Sequence, residues 1–263
     1  MYTSTVLKQK AFIVLAAVYI LNALVAHAQN PIWATSAVPF NFSCVENPAN
    51  SQQIPSPDGH LTAEVKCRAH SPNADPTYYL HITRPNGSTR DFDLEEGAHE
   101  LLWSPDSKAF FVNGGESAYA GFFVTVYEVN DGLKKLTITT AAQRDMVTSF
   151  PPCKAFYRDQ NLCTKITENP EYNMSGISWL NGSSAVVVMA EVPCSSDYGG
   201  IMCQVLGYEI AVPTGKILRR MSPTELKRDW QHSMAWDMRI PDPPTYGEPF
   251  PERRLNDSWH KSP

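Results

Sequence analysis

No C-x-x-C pair occurs in the 263 residues, and His60, His70, His81, His99, His232 and His260 form neither H-x-H nor H-E-x-x-H. Zinc sites built on those spacings are therefore excluded, and neither a metal nor a cofactor is expected. Positive charge is scarce as well. The 22 Lys and Arg stand against 27 Asp and Glu, for a net charge of −5, and nowhere do the basic residues cluster. Such a chain is a poor nucleic-acid binder. Past residue 28 there is no apolar run near the about 20 residues that a spanning helix needs. No catalytic residue is assigned, because no nucleophile, base and orienting group stand in a recognisable arrangement.

What is present begins with an export signal. Lys8 and Lys10 form a basic start, Ala11–Ala26 is almost wholly apolar, and Ala26-His27-Ala28 is an A-x-A cleavage pattern before Gln29. The expected organisation is a signal peptide over 1–28, one domain over 29–240 and a proline-rich tail over 241–263. Loss of the two signal lysines takes the net charge from −5 to −7. Six cysteines follow: Cys44, Cys67, Cys153, Cys163, Cys194 and Cys203. An even number in an exported chain suggests disulfides, with the connectivity open. Nearest-neighbour pairing is preferred because each bond then closes one local loop.

The core of the sequence is Leu101–Val112. Ser104-Pro105-Asp106-Ser107 has turn chemistry, with strand-forming residues on both sides. The arrangement recurs at Ser56-Pro57-Asp58-Gly59 before Leu61–Val65, and at Trp179-Leu180-Asn181-Gly182 before Ala185–Val188. A second turn follows each time, at Asn86-Gly87, Asn130-Asp131-Gly132 and Pro213-Thr214-Gly215, and a further short strand after it. Three units of four strands are expected, the period of propeller blades. Trp103-Ser104-Pro105-Asp106-Ser107-Lys108 resembles the W-S-P-D-G-(K/R) core of TolB-like, WD40-like β-propeller repeats, over residues 54–221. The resemblance implies an all-β fold of antiparallel four-stranded sheets and a scaffold that binds rather than transforms. Closed propellers use about four to eight blades. Either Phe40–Cys44 and the tail supply more strands, or the sheets form an open stack. Trp103 and Trp179, at matched positions, are expected in the core.

Between the second and third units runs an insertion, 141–174, pinned by Cys153 and Cys163 and carrying Phe156 and Tyr157. Its aromatics offer a contact surface or cover a sheet edge. Ser222-Pro223-Thr224-Glu225 is a capping box that should start a short helix, Leu226–Met234. The candidate binding residues are Phe156, Tyr157, Tyr198 and Trp259, and the expected partner is a protein or a cell-envelope component. The resemblance to TolB-like repeats implies a bacterial source, hence the periplasm or the exterior.

Weaker features remain. Gly115-Glu116-Ser117-Ala118-Tyr119-Ala120-Gly121 resembles an esterase elbow but has Tyr119 where a glycine should let the turn close. It supports the alternative of a secreted hydrolase acting through Ser117; a purely structural envelope protein is the other alternative. Asp91, Asp93 and Glu95 alternate along one strand and read as a solvated face rather than a calcium site.

Overall fold

Two corners of the same construction set the frame of the sheets. The computed structural model describes residues 33–40, 52–68, 77–95, 97–115, 121–129, 134–150, 172–193, 201–235 and 240, all within the unit Pro31–Pro263. In the first corner Ser56 Oγ donates to Asp58 Oδ1 at 2.7 Å and accepts from Leu61 N at 2.9 Å, while His60 N donates to Asp58 Oδ1 at 2.9 Å. In the second, Ser104 Oγ donates to Asp106 Oδ1 at 2.8 Å and accepts from Ala109 N at 3.0 Å, while Lys108 N donates to Asp106 Oδ1 at 3.3 Å. Gly59 (φ 72°) and Ser107 (φ 58°) take the same left-handed place. The third corner turns on Asn181 (φ 47°) and Gly182 (φ 74°), a conformation that Asn and Gly tolerate best.

These corners join the strands of three antiparallel sheets. Sheet 1 is β2 (Gln53–Pro55), β3 (Thr62–Arg68), β4 (Thr77–Thr83) and β5 (Thr89–Asp93), paired in chain order. Sheet 2 is β6 (Ala98–Trp103), β7 (Ala109–Gly115), β8 (Phe122–Glu128) and β9 (Lys134–Leu136), with β1 (Val38–Pro39) added against β6. Sheet 3 is β10 (Asn173–Leu180), β11 (Ala185–Glu191), β12 (Val205–Ala211) and β13 (Ile217–Met221). The fold is thus mostly β, as expected, in sheets of four and five strands.

Side-chain alternation assigns the faces. Phe110 and Val112 share a core with Ala63, Val65, Leu80 and Ile82 of sheet 1. Ala109 and Phe111 on the other face of β7 share a core with Val186, Val188, Leu206 and Tyr208 of sheet 3. Sheet 2 therefore lies between its neighbours, which is why β7 is buried at every residue and reads as an apolar run. The far face of sheet 3, with Val187 and Met189, is covered by Leu226 and Met234.

The far face of sheet 1 is polar instead. Arg68 donates to Asp91 Oδ2 at 3.2 Å and Asp93 Oδ1 at 3.0 Å, His81 Nδ1 lies 2.7 Å from Asp91 Oδ1, and the Arg68 guanidinium sits 4.3 Å above the Tyr79 ring. Glu95 takes Lys135 and Thr125. Asp91 and Asp93 of β5 thus belong to the paired polar face, whereas Glu95 lies beyond the end of β5 and bonds residues of sheet 2 instead. The outer face of sheet 1 is therefore polar, and that of sheet 3 is covered by a helix. The outer strand edges are blunted too: β5 is charged, β9 has only three residues, and β13 is interrupted by a register shift at Leu218.

Among the described residues there are two α-helices. α1 (Thr140–Ser149) falls in the segment expected only as an insertion, and it seats Ala142 and Met146 in the core between sheets 2 and 3. Tyr208 Oη donates to Asp145 Oδ2 at 2.7 Å, and Arg220 bonds both Asp145 (3.0 Å) and Ser149 (2.8 Å), fastening α1 to sheet 3. α2 (Pro223–Trp230) starts with the complete capping box between Ser222 and Glu225, and continues as a 3₁₀ turn over Gln231–Ser233. No described helix is long and apolar enough to cross a membrane. Cys67 and Cys203 are both disulfide-bonded; Cys44, Cys153, Cys163 and Cys194 lie outside the described residues.

Candidate functional site

The up-and-down path of each sheet sends successive connections to opposite ends. The turns at 56–61, 84–88, 104–108, 181–184 and 212–216 join first to second or third to fourth strands, and so gather at one end. The connections 69–76, 94–97, 116–121, 137–172 and 192–204 leave from the opposite strand ends. Loops extending from a rigid scaffold at one end are the usual place for binding residues.

Asn173, the first residue of β10, joins the feet of three of these connections. Its Oδ1 accepts from Phe122 N at 3.1 Å, where β8 begins, and its Nδ2 donates to Glu191 Oε2 at 3.2 Å, where β11 ends. The Asn173 side chain is buried among them. Burial pushes the Glu191 carboxyl above its usual range, and the Asn173 bond offsets part of that rise. The neck of 151–171 is closed by Tyr172 Oη, which donates to Phe150 O at 2.8 Å. The neck of 194–200 is closed by Val192 N donating to Gln204 O and Cys203 N to Val192 O, each at 2.9 Å. Val147, Phe150, Ile201 and Met202 pack on one common core. The described residues that flank the segments carrying Phe156 and Tyr157, and Tyr198, thus adjoin one another.

Phe156, Tyr157, Tyr198 and Trp259 themselves lie outside the described residues, as does Ser117. The segment holding Ser117 joins β7 to β8, whose ends pair as Gly115 with Phe122 in an antiparallel hairpin. An esterase elbow needs a helix after the serine, and the strand Phe122–Glu128 stands in that place. Among the described residues no three His, Cys, Asp or Glu side chains converge on a common metal position.

The site's foundations escaped sequence reasoning. Glu100 and Asn113 are wholly buried, and Asn113 Nδ2 donates at 2.8 Å both to Glu100 Oε1 and to Gly176 O. Asn113 Oδ1 in turn accepts from Gly176 N at 2.8 Å, so this side chain joins sheet 2 to sheet 3 beside the register shift of β10. A polar residue in the middle of an apolar strand was the signal available. Neither models of known protein families nor curated proteins match the chain.

Proposed function

We propose that the chain is an exported, disulfide-stabilised protein of propeller-like repeats that binds a partner, a protein or a cell-envelope component, without transforming it. The observation that carries the binding role is the junction at Asn173, which unites the feet of the loops bearing the candidate aromatics. Rigid aromatics on pinned loops give contact area at low entropic cost. The disulfides at Cys67 and Cys203 suit an oxidising compartment, and pairing of nearest neighbours remains the preferred connectivity.

The blade reading is supported by a step taken twice. Trp103 Nε1 donates to Ile54 O at 3.2 Å, and Trp179 Nε1 to Leu102 O at 3.1 Å. Ser107 Oγ accepts from Asp58 N at 3.1 Å, and Ser183 Oγ donates to Asp106 Oδ2 at 2.9 Å. Each unit therefore leans on equivalent positions of the one before, which is what a blade-to-blade rotation produces. Polar and helix-covered end faces would let such a row stop short of closure.

The test is a triple variant, Phe156→Ser, Tyr157→Ser and Tyr198→Ser, compared with the parent chain for crosslinking to cell-envelope fractions. Equal melting temperatures with loss of a discrete crosslinked product support the placement. Undiminished crosslinking removes it. Turnover of chromogenic esters by the parent chain that Ser117→Ala abolishes would instead favour the hydrolase.

A further inference from the structure

Residues 33–40 have little regular structure, yet they enter all three cores. Trp33 is buried beside Val187, Met189 and Leu226; Ala34 and Ala37 sit in the core between sheets 2 and 3; Phe40 is buried in the core between sheets 1 and 2. Along the way this segment pairs with β6 through Val38 and Pro39 only, and with the chain beyond α2 through a single bridge, Ala34 to Met234. Thr35 N donates to Ser233 O at 3.0 Å, Ala235 N to Trp33 O at 2.9 Å, and Phe40 N to His99 O at 2.7 Å.

The centre of the segment is held differently. Trp33 N donates to Glu100 Oε2 at 3.3 Å and Ala34 N to Glu100 Oε1 at 3.0 Å. A buried carboxyl group thus replaces the ladder that a strand would provide, its two oxygens taking the two backbone N–H groups. We infer that residues 33–40 form a strap that opens as its own unit, with Glu100 as its latch. The three meanders pair within themselves, so none of their ladders breaks when the strap lifts. Lifting uncovers the edge of β6 and separates the cores that the strap connects. Opening of the strap therefore undoes the burial of Trp33, Ala34, Ala37 and Phe40 and the bonds above rather than a long sheet ladder, which sets it apart from the meanders as a unit.

Native-state hydrogen exchange on the full chain tests the latch. In the parent protein the amides of Trp33, Ala34, Thr35 and Phe40 should exchange through an opening with a shallow denaturant dependence, and those of β11 and β12 through a steep one. In Glu100→Gln the amide nitrogen of the new side chain meets an N–H where an oxygen accepted. Strap exchange should then quicken by about 10-fold or more while β3, β4, β11 and β12 change little. Strap amides that exchange only in step with β11 would overturn the inference, as would an equal quickening everywhere in the variant. If Glu100→Gln does not fold, the denaturant series on the parent protein decides alone.

Discussion

The Trp179 indole donates to the backbone carbonyl of Leu102, the residue immediately before Trp103. Trp103 does the same to Ile54, the residue immediately before the equivalent position of its own neighbour, Pro55. Both indoles are almost wholly buried, Trp103 edge-on to Phe110 at 5.0 Å and Trp179 tilted to Phe111 at 5.6 Å. Matched corners thus place matched tryptophans in matched contacts.

Trp103→Phe and Trp179→Phe should therefore cost similar amounts. Each removes an indole hydrogen bond to a carbonyl already in its strand ladder, worth about 0.5–1.5 kcal/mol, together with part of a packed ring. At about 2–4 °C per kcal/mol for a domain of this size, both melting temperatures should fall by several degrees. A variant that melts with the parent protein would show that its bond contributes nothing.

The corner glycines separate strain from contact. Gly59 and Gly182 are both left-handed, at φ 72° and 74°, but a Cβ at Gly59 would meet nothing within 4 Å. At Gly182 it would lie 2.8 Å from Asp106 Oδ2, the oxygen that also accepts from Ser183. Gly59→Ala should cost about 1–2 kcal/mol from conformation alone, and Gly182→Ala measurably more. Adding Asp106→Ser should recover the excess only at Gly182. Equal costs for the two alanines, by urea titration, would remove the proposed contact between corners.

The corners were the most legible part of the chain, because Pro, Asp and Gly there act locally and need no tertiary partner. The capping box at Ser222 and Glu225 was legible for the same reason. α1 was not: only Ala142 and Met146 of its residues are buried, and Thr139 makes no side-chain cap bond. Its helical stripe is too narrow to stand out, and sheet 3 decides its place. The strap and the Glu100–Asn113 junction were also hidden, since their meaning depends on partners more than 60 residues away. Phe156, Tyr157 and Tyr198 were singled out as aromatics in cysteine-flanked loops. Asn173, which joins the feet of those loops, is an unremarkable polar residue until β8 and β11 arrive beside it.

Acid should loosen α2 before the sheets. The Asp229 carboxyl is held down to about 2 from 3.8, chiefly by its bond to Arg228, with partial burial working against it and Arg219 adding to the lowering. A carboxyl lowered on folding stabilises above its unfolded pKa and loses that contribution as pH falls toward the folded one. The contribution is therefore complete above about pH 4 and fades toward pH 2. Asp229→Asn should melt below the parent protein at neutral pH, and the gap should close through that window. A gap independent of pH would assign the loss to packing instead.

The Asn113 junction makes the sharpest distinction between related substitutions. Asn113→Ala leaves Gly176 N and Gly176 O short of a partner and should cost about 3 kcal/mol. Asn113→Asp keeps an acceptor for Gly176 N but turns an oxygen toward Gly176 O and Glu100 Oε1, both within 2.8 Å of the present nitrogen. An ionised Asp there has no donor to offer and sits against a second carboxylate in a buried place, which is costlier than the cavity left by alanine. Protonation restores an O–H donor, so the deficit of Asn113→Asp relative to the parent protein should shrink as pH falls from 7 toward 4. The deficit of Asn113→Ala should change less. Urea unfolding of the three proteins at both pH values checks the order, and an aspartate better tolerated than alanine at pH 7 would mean that the junction is wet.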